Sequence, residues 1–263
     1  MFPPRRIVCL TEETVETLYL LGEQDRIVGI SGYTVRPPQA RREKPRVSAF
    51  RSADIDKIVA LAPDLVLAFS DIQADIAAEL IRRGLAVHAF NQRTLAEIFA
   101  MIRTLGALVG AAGRAASLAA SLERRVAEFR AARPARRPKV FFEEWDDPLI
   151  SGIGWVSELI EAAGGVDIFP ELAAKRSAKD RIVAPAEVVA RAPDIIVGSW
   201  CGKKFRAEKV AARPGFAEIP AVRAGAIHEI KSSLILQPGP AAVTAGLDAL
   251  RRIVAAWTDY ASH

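Results

Sequence analysis

Asp54-Ile55-Asp56-Lys57-Ile58-Val59-Ala60-Leu61-Ala62-Pro63-Asp64-Leu65-Val66-Leu67-Ala68-Phe69 is the stretch that decides how the chain is read. Ile55, Ile58, Val59 and Leu61 recur at helical spacing, and Pro63-Asp64 stops the helix because proline cannot continue it. The next five residues are apolar without a break, the mark of a strand covered on both faces. A second stretch has the same plan: Pro185-Ala186-Glu187-Val188-Val189-Ala190-Arg191-Ala192-Pro193-Asp194-Ile195-Ile196-Val197. Each is a helix, a Pro-Asp turn and a buried strand, the unit from which helix-covered parallel sheets are built.

The same alternation extends outward from both. Arg6–Leu10, Arg26–Ser31 and Ala86–Phe90 read as strands, with helices at Glu12–Leu21 and Ile72–Arg83 closed by Gly22 and Gly84. Residues 95–133 are nearly all helix formers, and 114–132 contain neither Gly nor Pro. At about 1.5 Å per residue such a helix is nearly 30 Å long. Beyond Pro134–Pro138 the alternation resumes with strands at Lys139–Phe142, Ile195–Gly198 and Ile227–Ile230, helices at Val156–Ala163 and Ala186–Ala192, and a terminal helix over Ala241–Trp257. The expectation is an α/β chain of two lobes with mainly parallel sheets flanked by helices, joined by one long backbone helix. Its parts are an N-terminal lobe 1–108, a linking helix 109–133 and a C-terminal lobe 134–263.

Composition narrows the function. The chain has 263 residues, 36 Lys and Arg against 31 Asp and Glu, and 51% hydrophobic residues. That is a globular balance, neither disordered nor collagen-like. A charge of +5 is mild, and arginines scattered through alanine-rich segments are not the one-faced basic patch of a nucleic-acid protein. Nucleic acid is therefore not an expected partner. Cys9 and Cys201 have no C-x-x-C neighbour, and with only His88, His228 and His263 no metal site is expected. No apolar run reaches the roughly 18 residues of a membrane helix. Met1-Phe2-Pro3-Pro4-Arg5-Arg6 leads straight into Ile7 without the apolar stretch of a secretory leader. The sequence as given therefore reads as cytoplasmic, and as periplasmic if a leader has been removed.

In open parallel sheets ligands bind outside the carboxyl ends of the strands. Tyr33, Phe69, Trp145 and Trp200 all fall there, Phe50 lies in the loop before Asp54, and Trp155 opens a helix after Ser151-Gly152. These six aromatics point to an inter-lobe cleft for a large, flat ligand, with Ser232 and Ser233 as polar contacts. Glu143-Glu144-Trp145-Asp146-Asp147 reads as a solvated acidic loop. A hydrolase using Glu144 or Asp146 is the rival from another class, but no second carboxylate run offers a partner. Glycine-rich phosphate loops are absent. The chain is expected to be a monomer with no intrinsic cofactor.

Several motifs carry a resemblance. They are Arg6-Ile-Val-Cys-Leu-Thr with its following helix, Val28-Gly-Ile-Ser-Gly-Tyr-Thr-x-x-Pro-Pro-Gln-Ala, Ile58-Val-Ala-Leu-Ala-Pro-Asp-Leu-Val-Leu-Ala, Ser151-Gly to Gly164-Gly, and Gln237-Pro-Gly-Pro. Together they resemble the helical-backbone (class III) substrate-binding proteins of ABC importers, the cobalamin and iron-siderophore type, and are closest to the vitamin B12-binding branch. The resemblance implies a non-catalytic binding protein that holds a large chelate such as cobalamin or another corrinoid for delivery to an ABC permease. An iron-siderophore or haem carrier, or a leaderless cytoplasmic paralogue, is the alternative. It places Tyr33, Phe50 and Phe69 among the cleft aromatics, two of them Phe where a well-known member has Trp. It also implies that Asp56 and Glu187, at matching places in the echoed helices, dock to permease arginines.

Overall fold

A computed structural model describes residues 3–260. Met1 and Phe2, on which the leader reading partly rests, and His263 lie outside them. The chain divides into two compact units, Met1–Gln92 with Ala96–Leu122, and Arg93–Leu95 with Glu123–His263. The helix Ala112–Ala131 contributes residues to both.

The first unit holds five parallel strands: β1 (Ile7–Cys9), β2 (Ile27–Ser31), β3 (Arg46–Ser48), β4 (Leu65–Phe69) and β5 (Val87–Phe90). Their order is β3-β2-β1-β4-β5, with β1 in register against β4 from Ile7↔Leu65 to Cys9↔Leu67. Every residue of β4 is buried, as its unbroken apolar run requires. Val8, Val66 and Ala68 pack with Ile58, Ile76 and Leu80 of two covering helices. The helix Ile55–Ala60 begins where Asp54 Oδ1 accepts the Lys57 amide at 3.0 Å.

The second unit holds β6 (Lys139–Asp146), β7 (Leu149–Ser151), β8 (Val166–Asp167), β9 (Ile195–Gly198) and β10 (Ile227–Glu229). The order is β10-β9-β6-β7, with β8 beside β6. All pairings are parallel except the β6–β7 hairpin. Phe141, Phe169, Val188, Ile196, Phe205 and Phe216 lie in its core.

The echo between the two halves extends to single hydrogen bonds. Ala62 and Ala192 each end their helix in the left-handed region, at φ 44° and 47°. The aspartate two residues later then turns back on the start of the neighbouring strand. Asp64 accepts the amides of Arg5 and Arg6 at 2.7 and 2.9 Å, and its own amide donates to the Arg6 carbonyl. Asp194 likewise accepts the Lys139 amide at 2.8 Å and donates to the Lys139 carbonyl. The Ala-Pro-Asp turn is thus a reciprocal clamp that sets the register of a central strand.

Two expectations need correction. The acidic stretch after Phe142 is not a solvated loop: β6 continues to Asp146 and returns through β7. The terminal helix is not uniform either, since Ala242–Gly246 is a π-turn before the α-helix Leu247–Tyr260. A Cβ on Gly246 would lie 2.6 Å from the Leu234 carbonyl oxygen, so this close approach admits only glycine without a shift.

Candidate functional site

At the carboxyl edge of the first sheet the chain leaves β1 into the helix Glu12–Leu20, leaves β2 into Gly32-Tyr33, and leaves β4 into Ser70–Gln73. Tyr33 is 52% exposed there, Phe50 is half-buried and Phe69 is buried. Gln73 ties two of them together. Its wholly buried carboxamide accepts the Phe69 amide at 2.9 Å and donates to the Phe50 carbonyl at 3.0 Å. Neither the tie made by Gln73 nor the exposure of Ile72 beside it was legible in the sequence, because nothing local distinguishes them from other helix-start residues.

The same edge carries two buried carboxylates. Glu12 accepts the Val35 amide at 3.3 Å, and Glu13 accepts the Thr11 hydroxyl at 2.6 Å. Burial pushes each up to about 7 against these hydrogen bonds, which lower it; Glu13 and Glu16 repel Glu12, and Glu16 repels Glu13. Cys9, just behind them, is held as a thiol at about 12 by burial, which makes it unreactive.

At the carboxyl edge of the second sheet three of the four carboxylates of the acidic run are paired with cations. Glu143 is fully buried, accepts from Arg213 at 2.5 and 2.8 Å, and accepts the Trp200 indole N–H at 2.9 Å. Burial raises its pKa, and Arg213 opposes that rise. Glu144 meets the buried Arg181 at 2.6 and 3.0 Å. Asp146 accepts both its contacts from Lys203, at 2.8 and 2.6 Å. Each cation comes from a distant segment, so the pairing was invisible in the sequence. Carboxylates consumed in this way hold strands and loops in place; Glu144 and Asp146 are not arranged as a free acid–base pair.

The aromatic candidates of this unit fall into two groups. Trp145 is half-buried and Trp200 is buried, and the Lys203 ammonium lies 5.4 and 5.3 Å from their ring centroids. Phe205 meets Trp200 edge-on at 4.8 Å. Trp155 is in the second group: its buried indole donates to the Ile235 carbonyl at 2.8 Å, anchoring the short helix that holds the half-buried Ser232 and Ser233. Asp56 is exposed and hydrogen-bonds Arg83 at 3.0 Å, while Glu187 accepts its own helix's Ala184 amide at 3.1 Å. His88 and His228 sit in β5 and β10, and burial lowers both pKa values.

Two cavities of the second unit, about 150 Å³ beside Pro134 and Arg251 and about 320 Å³ beside Lys139 and Arg191, lie away from this edge. Among the described residues no group of three or more His, Cys, Asp or Glu is placed to hold a metal ion. No helix of the described residues is long and apolar enough to cross a membrane.

The chain is 26% identical over 245 residues to a cobalamin-binding protein of Halobacterium salinarum, covering 90% of this chain and 66% of that one. It therefore spans about two thirds of that relative's length. It is 25% identical over 252 residues to an ABC transporter substrate-binding lipoprotein of Bacillus subtilis, covering 90% and 76%. The periplasmic vitamin B12-binding protein of Vibrio cholerae shares the fold at a TM-score of 0.78 and 23% identity, over 98% of this chain and 99% of that one. These relatives are binding proteins by name, not enzymes. Two α/β units with helix-flanked, mainly parallel sheets are the architecture this chain shares with the Vibrio protein, and residues 7–234 match the periplasmic binding protein family, to which the chain belongs.

Proposed function

We propose that this protein is a non-catalytic carrier of a large chelate, cobalamin or another corrinoid, which it delivers to an ABC permease. The observation that carries the reading is the concentration of aromatics at the carboxyl edges of both sheets, in a chain whose relatives include a cobalamin-binding protein. Tyr33, Phe50 and Phe69 in the first unit, and Trp145, Trp155, Trp200, Ser232 and Ser233 in the second, are the proposed contact residues. Affinity comes from apolar enclosure, at about 25 cal/mol per Å² of apolar surface buried, less the costs of association. Asp56 and Glu187 are the proposed docking residues, and the carrier works as a monomer outside the inner membrane.

The test is an equilibrium titration of the purified protein with cobalamin, cobinamide, haemin and a ferric siderophore, followed by tryptophan fluorescence. Saturable quenching by a corrinoid at micromolar concentration or below is expected. Quenching by haemin or the siderophore alone moves the assignment to the iron-carrier branch, and no quenching by any of the four refutes the carrier reading.

A further inference from the structure

Lys203 lies in an irregular stretch between β9 and the next helix, just after Gly202 at φ 71°. Its ammonium faces the rings of Trp145 and Trp200 at 5.4 and 5.3 Å and donates to both oxygens of Asp146 at 2.8 and 2.6 Å. Two indole faces and one carboxylate make up a box for an organic cation, attracted by the ring quadrupoles and the charge together. The rings are held independently of their occupant. Trp145 donates its N–H to the Asp147 carbonyl, Trp200 donates to Glu143, and Phe205 meets Trp200 edge-on.

The occupant differs from the other cations along β6. Arg181 and Arg213 are 1% and 16% exposed at their side chains, whereas Lys203 is 41% exposed on a flexible stem outside any helix or strand. Withdrawing it would leave Asp146, only 12% exposed, as an uncompensated carboxylate. Such a box calls for another cation.

We propose that Trp145, Trp200 and Asp146 form a binding subsite for a cationic group, filled by Lys203 in this structure and surrendered to a positively charged ligand. The box stands on its own geometry; only the identification of the transported molecule as the displacing ligand rests on the carrier reading. The class of ligand is an alkylammonium or a metal chelate with net positive charge at its face.

Lys203→Ala removes the occupant and keeps the box. Titration of that variant with methylammonium chloride, at ionic strength held constant with sodium chloride, is expected to give a saturable change in tryptophan fluorescence. The apparent affinity should be at least tenfold tighter than in the wild type, and Asp146→Asn in the same background should weaken it at least tenfold. No saturable change in Lys203→Ala, or an equal response in the wild type, overturns the proposal. Lys203→Ser repeats the test should the alanine variant melt early. A second arm compares aquacobalamin, which is cationic, with the neutral cyanocobalamin. The wild type should prefer aquacobalamin at least fivefold, and Asp146→Asn should erase the preference. Equal binding of both overturns the transported corrinoid as the ligand that displaces Lys203 and leaves the carrier reading intact. Binding of neither, with methylammonium still bound by Lys203→Ala, removes the corrinoid reading and leaves the subsite standing.

Discussion

Glu12 and Glu13 carry the clearest consequence at the scale of single residues. Both are buried behind the carboxyl edge of the first sheet, each with a folded-state pKa raised from 4.5 to about 7. A carboxyl raised in this way binds its proton more tightly when folded, so its contribution is complete below the unfolded pKa and is lost as pH rises through the folded one. Unfolding free energy should therefore fall between about pH 4.5 and pH 7, by on the order of 3 kcal/mol for either carboxyl taken alone and by less than twice that for the coupled pair. Urea titrations across that range measure the slope, and Glu12→Gln with Glu13→Gln should flatten it and stabilise the protein at pH 8. A slope unchanged in the double variant would assign the titration elsewhere. Glu143 differs from them in having a cationic partner: burial raises its pKa too, but Arg213 opposes the rise. Both its oxygens accept from Arg213 and one also accepts from Trp200. Cutting Arg213 to Ala should cost about 3–5 kcal/mol in urea unfolding, because it strands that carboxylate without a countercharge. The acidic run at Glu143–Asp147 was plain in the sequence. Its neutralisation was not, because Arg213 lies 70 residues away and Arg181 lies 37 residues from Glu144.

Between elements, the close approach of the two middle helices is tested by one glycine. A Cβ on Gly106, in the helix Leu95–Leu108, would lie 2.1 Å from the Cβ of Ala115 in the helix Ala112–Ala131. Alanine at 106 gains up to about 1 kcal/mol of helix propensity. It also forces the helices apart, a strain of about 1–3 kcal/mol. Gly106→Ala should thus lower the urea midpoint, and adding Ala115→Gly should restore most of the loss by reopening the space. Nothing local to this glycine says that another helix passes within van der Waals distance. The helix–Pro-Asp–strand units were the opposite case. Their periodicity, stop and apolar run were local, and they appear as Ile55–Ala60 with β4 and Pro185–Arg191 with β9. β7 escaped notice because Leu149–Ser151 has three residues, too few to show a period.

For the whole molecule, docking and ligand capture should separate. Among the described residues Asp56 pairs with Arg83 on the surface, and Glu187 accepts the Ala184 amide at its own helix start. Asp56→Ala combined with Glu187→Ala should leave ligand affinity within about twofold, since surface ion pairs contribute little to stability. The same double variant should weaken stimulation of the permease ATPase, because charges of this kind set register and encounter rate. Loss of ligand affinity instead would show that the two residues do not belong to a docking surface. By itself the sequence determined the architecture: alternating periods of 3.6 and unbroken apolar runs are local signals, and they dictate which segments must cover a sheet. It also marked the carboxyl ends of the strands, where open parallel sheets bind their ligands. Only the tertiary structure decided which charged groups there are available, because neutralising a buried carboxylate takes a cation that folding brings from far along the chain, as it brings Arg213 to Glu143 and Lys203 to Asp146.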